Sequence, residues 1–148
     1  MVSLKNFIIS LFWKQNSWHA HGVFIHTARV TWYIYKMKEF KMIPAAILHD
    51  IGKPFVAFQK PEDIIAKEFS FTDHEEVGYQ IIKNWPFISE YTKDLVRYHY
   101  LIRDIKKSKV KNLERFAIKQ DIWDSLSEDF QSDLKKFIQC DDKGKGKL

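Results

Sequence analysis

The chain has 148 residues and a formal net charge of +5, enough for one domain with a real core and too short for two comfortable ones. Apolar residues at 45% and aromatics at 16% exclude a largely disordered chain. The single cysteine, Cys140, excludes an internal disulfide, and the apolar stretches fall short of the roughly 20 residues of a spanning helix, so a soluble cytoplasmic protein with no membrane partner is expected. The positive charge favours anionic partners such as phosphates without by itself indicating a nucleic-acid binder.

In chain order, residues 17–38 read as one long amphipathic helix. Pro44 suits the first turn of a shorter helix that stops at Gly52 and is blocked from continuing by Pro54. Residues 55–70 read as an irregular connection with at most a short helix after Pro61. Thr72 and Glu75 form a T-x-x-E capping pair opening a helix to about Trp85, and Ser89 can cap another to about Ile102. Helical segments over 108–120 and 127–142 complete an all-α reading. The chain is then a single domain over 1–142 with a flexible basic tail, KGKGKL, over 143–148.

Of the six histidines, His26, His49, His74 and His99 fall at or near separate helical segments. Zinc fingers and zinc proteases space their ligands closely, whereas here each helix would bring one or two ligands to a common centre, as helical bundles do for di-metal sites. His49 is followed at once by Asp50, two adjacent groups that are costly to bury unless something satisfies both. With Asp50 and the pair Asp141-Asp142, the donors suffice for one or two divalent ions. With no thiolate framework, an imidazole and carboxylate site suits Mn, Fe, Ni, Co, Zn or Mg.

The stretches HGVFIHTARV, ILHDIGKP, DHEEVG, RYHY and CDDKG follow the order H, HD, H, H, D and resemble the HD-domain metal-dependent phosphohydrolase superfamily, an all-helical bundle. Within it, HDIGKP looks most like the HD modules of bacterial tRNA nucleotidyltransferases and of some RNA-end-healing polynucleotide kinases. The resemblance implies that His26, His49, Asp50 and Asp141 hold one metal. His74 and His99 match the histidines of members with a second metal, where the doublet aspartate bridges both ions. Asp141 is preferred over Asp142 because D-x-x-G then ends on Gly144.

The resemblance also implies a phosphomonoesterase or phosphodiesterase. Its substrate would be a small phosphorylated molecule or a nucleic-acid end, carrying a 2′- or 3′-phosphate or a 2′,3′-cyclic phosphate. Alternatives are a nucleoside monophosphate phosphatase, a di-iron oxygenase on the same ligands, or a nucleotide-binding module without turnover. Asp50, Lys53 and Arg29 are the catalytic candidates: Asp50 to bridge metals or orient a nucleophile, Lys53 and Arg29 to neutralise phosphate oxygens. Lys53 is expected to lie outside the packed helix face and to contribute nothing to stability. Arg29, three residues after His26, is expected to face the same way.

Other candidates have simpler readings. His19 and His21 read as ordinary histidines, with His19 within reach of substrate. Glu75 reads as a cap and Glu76 as a solvent-facing residue. Trp13, Trp18, Trp32, Phe116 and Trp123 read as core, and the run KKSKVK over 106–111 as a solvated turn that could also guide a polyanion.

Overall fold

Residues 3–146 are described by a computed structural model of the chain. Among them are ten α-helices and one 3-10 turn, with two isolated β-bridges and no strand. In order, the helices are α1 (Leu4–Phe12), α2 (Val23–Lys36), α3 (Ile43–Leu48), α4 (Lys53–Val56), α5 (Pro61–Ala66), α6 (His74–Ile82), α7 (Glu90–Tyr98), α8 (Leu101–Lys111), α9 (Leu113–Ser125) and α10 (Glu128–Gly144), with the 3-10 turn at Phe40–Met42. No helix among the described residues is long and apolar enough to cross a membrane.

The bundle is organised by α2. Its buried residues Val23, His26, Val30 and Ile34 recur at helical spacing and form one inward stripe that packs on α3 and α10. Trp32 falls off that stripe and lies outside, stacked on Tyr35, so the expectation of a core tryptophan is corrected there. Trp13 and Trp18 are also exposed, on the segment after α1, whereas Trp123 is half-buried against the core. That core joins Val30, Ile34, Met42, Ala45, Ala46, Ile82, Leu95, Val96, Leu134, Phe137 and Cys140. The last helix is locked to the bundle by buried Asp133, which accepts hydrogen bonds from Lys41 Nζ (2.6 Å) and Tyr91 Oη (2.8 Å).

Several expected boundaries move. The long first helix begins at Val23, because residues 16–19 are pinched into a turn by the Asn16–His19 bridge. Pro54 does not block a helix but sits in the first turn of the short α4, where its missing N–H costs nothing. The Thr72–Glu75 capping pair does not form: Asp73, at φ 57° and so left-handed, is the N-cap of α6. Ser89 and Ser127 do cap, accepting from Thr92 N and Phe130 N. The 106–111 run is the end of α8, not a turn. Helix α10 continues through Gly144, and Lys145 O then accepts from Ala20 N at 2.8 Å, so the tail expected to be free from 143 is tied down as far as Lys145. Lys147 and Leu148 lie outside the described residues.

Two glycines permit the helix approaches that build the site. A Cβ on Gly144 would lie 2.4 Å from Val30 Cγ2 and 3.2 Å from His26 Nδ1, so only glycine lets α10 close on α2 at His26. A Cβ on Gly52 would lie 2.1 Å from the carbonyl oxygen of His74 and 2.7 Å from Gly78 N. Those neighbours are backbone and cannot swing aside. Gly52→Ala is therefore expected to destabilise the protein by about 2 kcal/mol or more, read as a lower urea midpoint. An unchanged midpoint would show that α6 can shift without loss.

Candidate metal centre

The His49-Asp50 doublet closes α3, with His49 at the C-cap. Its ring Nδ1 donates to Ala46 O at 2.8 Å. His99 repeats the arrangement at the end of α7, donating from Nδ1 to Val96 O at 2.7 Å. His74, the first residue of α6, donates from Nδ1 to Phe71 O at 2.9 Å. Each ring thus uses a carbonyl three residues back, two of them in the last turn of a helix where carbonyls lack an intrahelical partner. Since a carbonyl only accepts, the proton must sit on Nδ1, which leaves each Nε2 as a bare lone pair.

These lone pairs converge. His49 Nε2 lies 3.4 Å from His26 Nε2, and His74 Nε2 lies 3.2 Å from His99 Nε2. Between the two pairs stands the Asp50 carboxylate. Its Oδ2 is 3.3 Å from His49 Nε2 and 3.5 Å from His26 Nε2, while its Oδ1 is 3.5 Å from His74 Nε2 and 3.9 Å from His99 Nε2. Asp141, in the last turn of α10, brings Oδ1 to 2.8 Å from His26 Nε2 and 3.7 Å from His49 Nε2. Phe137, one turn earlier on α10, floors the site against the His49 and His99 rings at centroid distances of 5.7 and 6.3 Å.

The donors fall into two buried groups, His26, His49 and Asp141, and Asp50, His74 and His99, each with ligand atoms mutually close enough for one ion. The fit to cations is chemical as well as spatial. Two bare imidazole lone pairs 3.2 Å apart repel unless something positive lies between them. Asp50 Oδ2 is buried and accepts no well-directed hydrogen bond, although Lys53 Nζ approaches to 2.7 Å. The donor set is all nitrogen and carboxylate oxygen, as suits divalent first-row metals or magnesium.

The remaining expected residues divide. Asp141 rather than Asp142 faces the histidines; Asp142 is exposed and pairs with Arg103 Nη2 and Lys145 Nζ. Arg29 does not reach the site: its Nε donates to Gly144 O at 3.2 Å, so it satisfies the carbonyl end of α10. It lies three residues after His26 on α2, but its guanidinium is taken up by the Gly144 and Lys143 carbonyls. Arg103 stands where Arg29 was expected, with Nη1 bonded to Asp141 Oδ2. It follows His99 by four residues, a spacing that hinted at it, although the break between α7 and α8 hid the shared face. Lys53 is 5% exposed, not solvated, with Nζ also donating to Gln15 Oε1 at 2.7 Å. Gln15, fully buried, gave no sign in the sequence. His19 packs edge-on to His26 at 4.8 Å, and Glu75 places Oε2 3.2 Å from His74 Nδ1. His19, Lys53, Glu75 and Arg103 all line one cleft of about 770 Å3 that opens from the centre.

Burial governs the electrostatics. It lowers His74 to about 4 and His19 to about 2, with Lys53 adding to both, and it holds His99 well below the usual range. These rings are neutral at pH 7, as ligands must be. Burial also opposes charge on Asp50 and Asp141, but His49 and Lys53 around the first, and His26 and Arg103 around the second, outweigh it and keep both well below the ordinary carboxylate range. His49 is the exception among the rings: burial lowers it, yet Asp50 more than compensates and raises it. Burial raises the Glu75 carboxyl.

A pH dependence follows for the chelated protein. As pH falls from about 6.5 towards 4, the unfolded chain protonates His19, His74 and His99 while the folded chain does not. Each ring so affected costs up to about 1.4 kcal/mol per pH unit, so stability should fall across that window. The raised His49 acts in the opposite window: its contribution is complete below about 6.5 and is lost only on further alkalinisation. Thermal melts in chelator at stepped pH check this, and a flat profile between 6.5 and 4 would contradict it.

Lys53 is buried and supplies the nearest countercharge to buried Asp50, which corrects the expectation that it lies outside the packed face. Lys53→Ala should cost the metal-free protein about 3 kcal/mol, and the deficit should shrink on adding a divalent metal that takes over the countercharge. Denaturation curves with and without chelator measure both quantities; equal stability of mutant and wild type would remove this role.

A comparison with curated protein sequences returned no match. A comparison with family models matched residues 23–129 to the HD domain, so the match takes in His26, His49, Asp50, His74 and His99 and ends before Asp141. Domains of this family bind divalent metals and are mostly metal-dependent hydrolases. With the model spanning well over half of its length, the chain belongs to the HD domain family.

Proposed function

We propose that this chain is a metal-dependent phosphohydrolase whose substrate is a nucleotide or an RNA end carrying a 2′- or 3′-phosphate or a 2′,3′-cyclic phosphate. The observation that carries the reading is the Asp50 carboxylate, whose two oxygens each face one pair of imidazole nitrogens. His26, His49 and Asp141 with Asp50 Oδ2 would hold one divalent ion, and His74 and His99 with Asp50 Oδ1 a second. Such ions, when bound, lower the pKa of a water and withdraw charge from a phosphoryl group. The chain's own part is to hold the substrate against them. Arg103 spends one nitrogen on Asp141 and another on Asp142, and its planar fork keeps further N–H donors for a phosphate oxygen in the cleft. Lys53, placed by Gln15, turns its ammonium from Asp50 towards an incoming anion once that carboxylate is engaged elsewhere.

The test is phosphate release from a panel of esters, including 2′- and 3′-nucleotides, 2′,3′-cyclic nucleotides and 5′-monophosphates. The panel is assayed after chelation and reloading with Mn, Fe, Ni, Co, Zn or Mg. Release should require metal and favour the 2′- and 3′-linked esters, and His49→Ala should lose both metal and at least about 100-fold in rate. A preference for 5′-monophosphates would make the chain a nucleoside monophosphate phosphatase. No release from any ester with any metal would overturn the hydrolase reading, and iron binding with a substrate-dependent absorbance change would replace it with oxygen chemistry.

A further inference from the structure

Helix α8 carries five cationic side chains and one carboxylate, and they are not evenly spent. The carboxylate, Asp104, is held by Arg115 through two hydrogen bonds of 2.9 and 2.7 Å and by Lys119 at 3.3 Å. It is therefore already neutralised from α9. Arg103, Lys107 and Lys111 recur every four residues and all line the cleft, so the row runs outward along one helix face from the metal centre, with about 6 Å of rise per step. Arg103 is anchored by Asp141 and Asp142, whereas Lys107 and Lys111 have no acidic partner within 4 Å among the described residues. An unpartnered row of ammonium groups at that pitch matches the spacing of neighbouring phosphates along a single strand. The other two cations of α8, Lys106 and Lys109, lie off this row and do not line the cleft.

Trp18 also lines the cleft. It is 73% exposed, on a turn fixed by its backbone N–H, which donates to Asn16 Oδ1 at 3.0 Å. An exposed aromatic face beside a cationic row is the combination that holds unpaired bases while the backbone is held electrostatically.

We propose that the cleft extends the metal centre into a track for single-stranded nucleic acid, with the backbone along Lys107 and Lys111 and a base stacked on Trp18. The proposal deepens the phosphoester reading above and rests on it for the placement of the strand's end. A polynucleotide end, rather than a free mononucleotide, is then the substrate class.

The test uses the full chain in chelator and a fluorescein-labelled ten-nucleotide oligouridylate lacking a terminal phosphate, followed by anisotropy across a salt series. Lys107→Ala/Lys111→Ala should lower the slope of log affinity against log salt by about 1.4, at about 0.7 per phosphate contact in a single strand. Trp18→Ala should weaken binding by about 5- to 100-fold with the slope retained. Uridine 3′-monophosphate should compete far less well than the unlabelled strand. An unchanged slope in the double variant, equal competition by the mononucleotide, or equal displacement by polyglutamate would each overturn the track. Phosphate release measured separately on the same strand bearing a 3′-phosphate distinguishes the two readings. Binding without release sinks the hydrolase and leaves the track, and release without salt-dependent binding does the reverse.

Discussion

The arrangement depends on one buried carboxylate with two faces. Asp50 cannot be removed from water cheaply, and its buried Oδ2 is not satisfied by a hydrogen bond in the usual way. Each carboxylate oxygen instead looks onto a pair of imidazole nitrogens, and three of those four rings, His49, His74 and His99, commit their Nδ1 protons to backbone carbonyls. The helix ends of α3 and α7 and the start of α6 supply the carbonyls that commit them. Orphan carbonyls that would otherwise be a weakness of buried helix ends become the clamps that orient the rings.

That constraint explains much of the packing around it. Helix α6 must approach the doublet so closely that position 52 tolerates no side chain, and α10 must approach α2 so closely that position 144 tolerates none either. Phe137 joins the apolar core directly to the underside of the His49 and His99 rings. Core and site therefore share a wall, and a loss of packing on α10 would be felt at the ligands.

His26, His49, Asp50, His74 and His99 were legible in the sequence as costly polar groups scattered over apolar helices, while their order and the choice of Asp141 over Asp142 came through the resemblance to the HD pattern. Their neighbours were harder to read. Arg29 and Arg103 sit at similar short spacings from a cluster histidine, yet one reaches the end of α10 and the other the site, and only the position of α10 separates them. Lys53 followed a helix stop and looked solvated, but α4 begins there and turns it inward against Gln15. The Thr72 cap was displaced by a left-handed Asp73, a local backbone choice that the T-x-x-E pattern does not encode. Three of the tryptophans expected in the core lie outside it, since periodicity predicts a face only where the helix boundary is known.

The pairing of His26, near the start of α2, with Asp141, near the end of α10, spans most of the chain. Ala20 N and Arg29 reinforce the same closure by reaching Lys145 O and Gly144 O. During synthesis, five of the six donors emerge before α8, but the last arrives only with the final helix. The doublet and its histidines must therefore wait, incompletely matched, until α10 docks. Any cation held before that docking would have fewer ligands than the finished fold provides, because Asp141 joins the set only with α10.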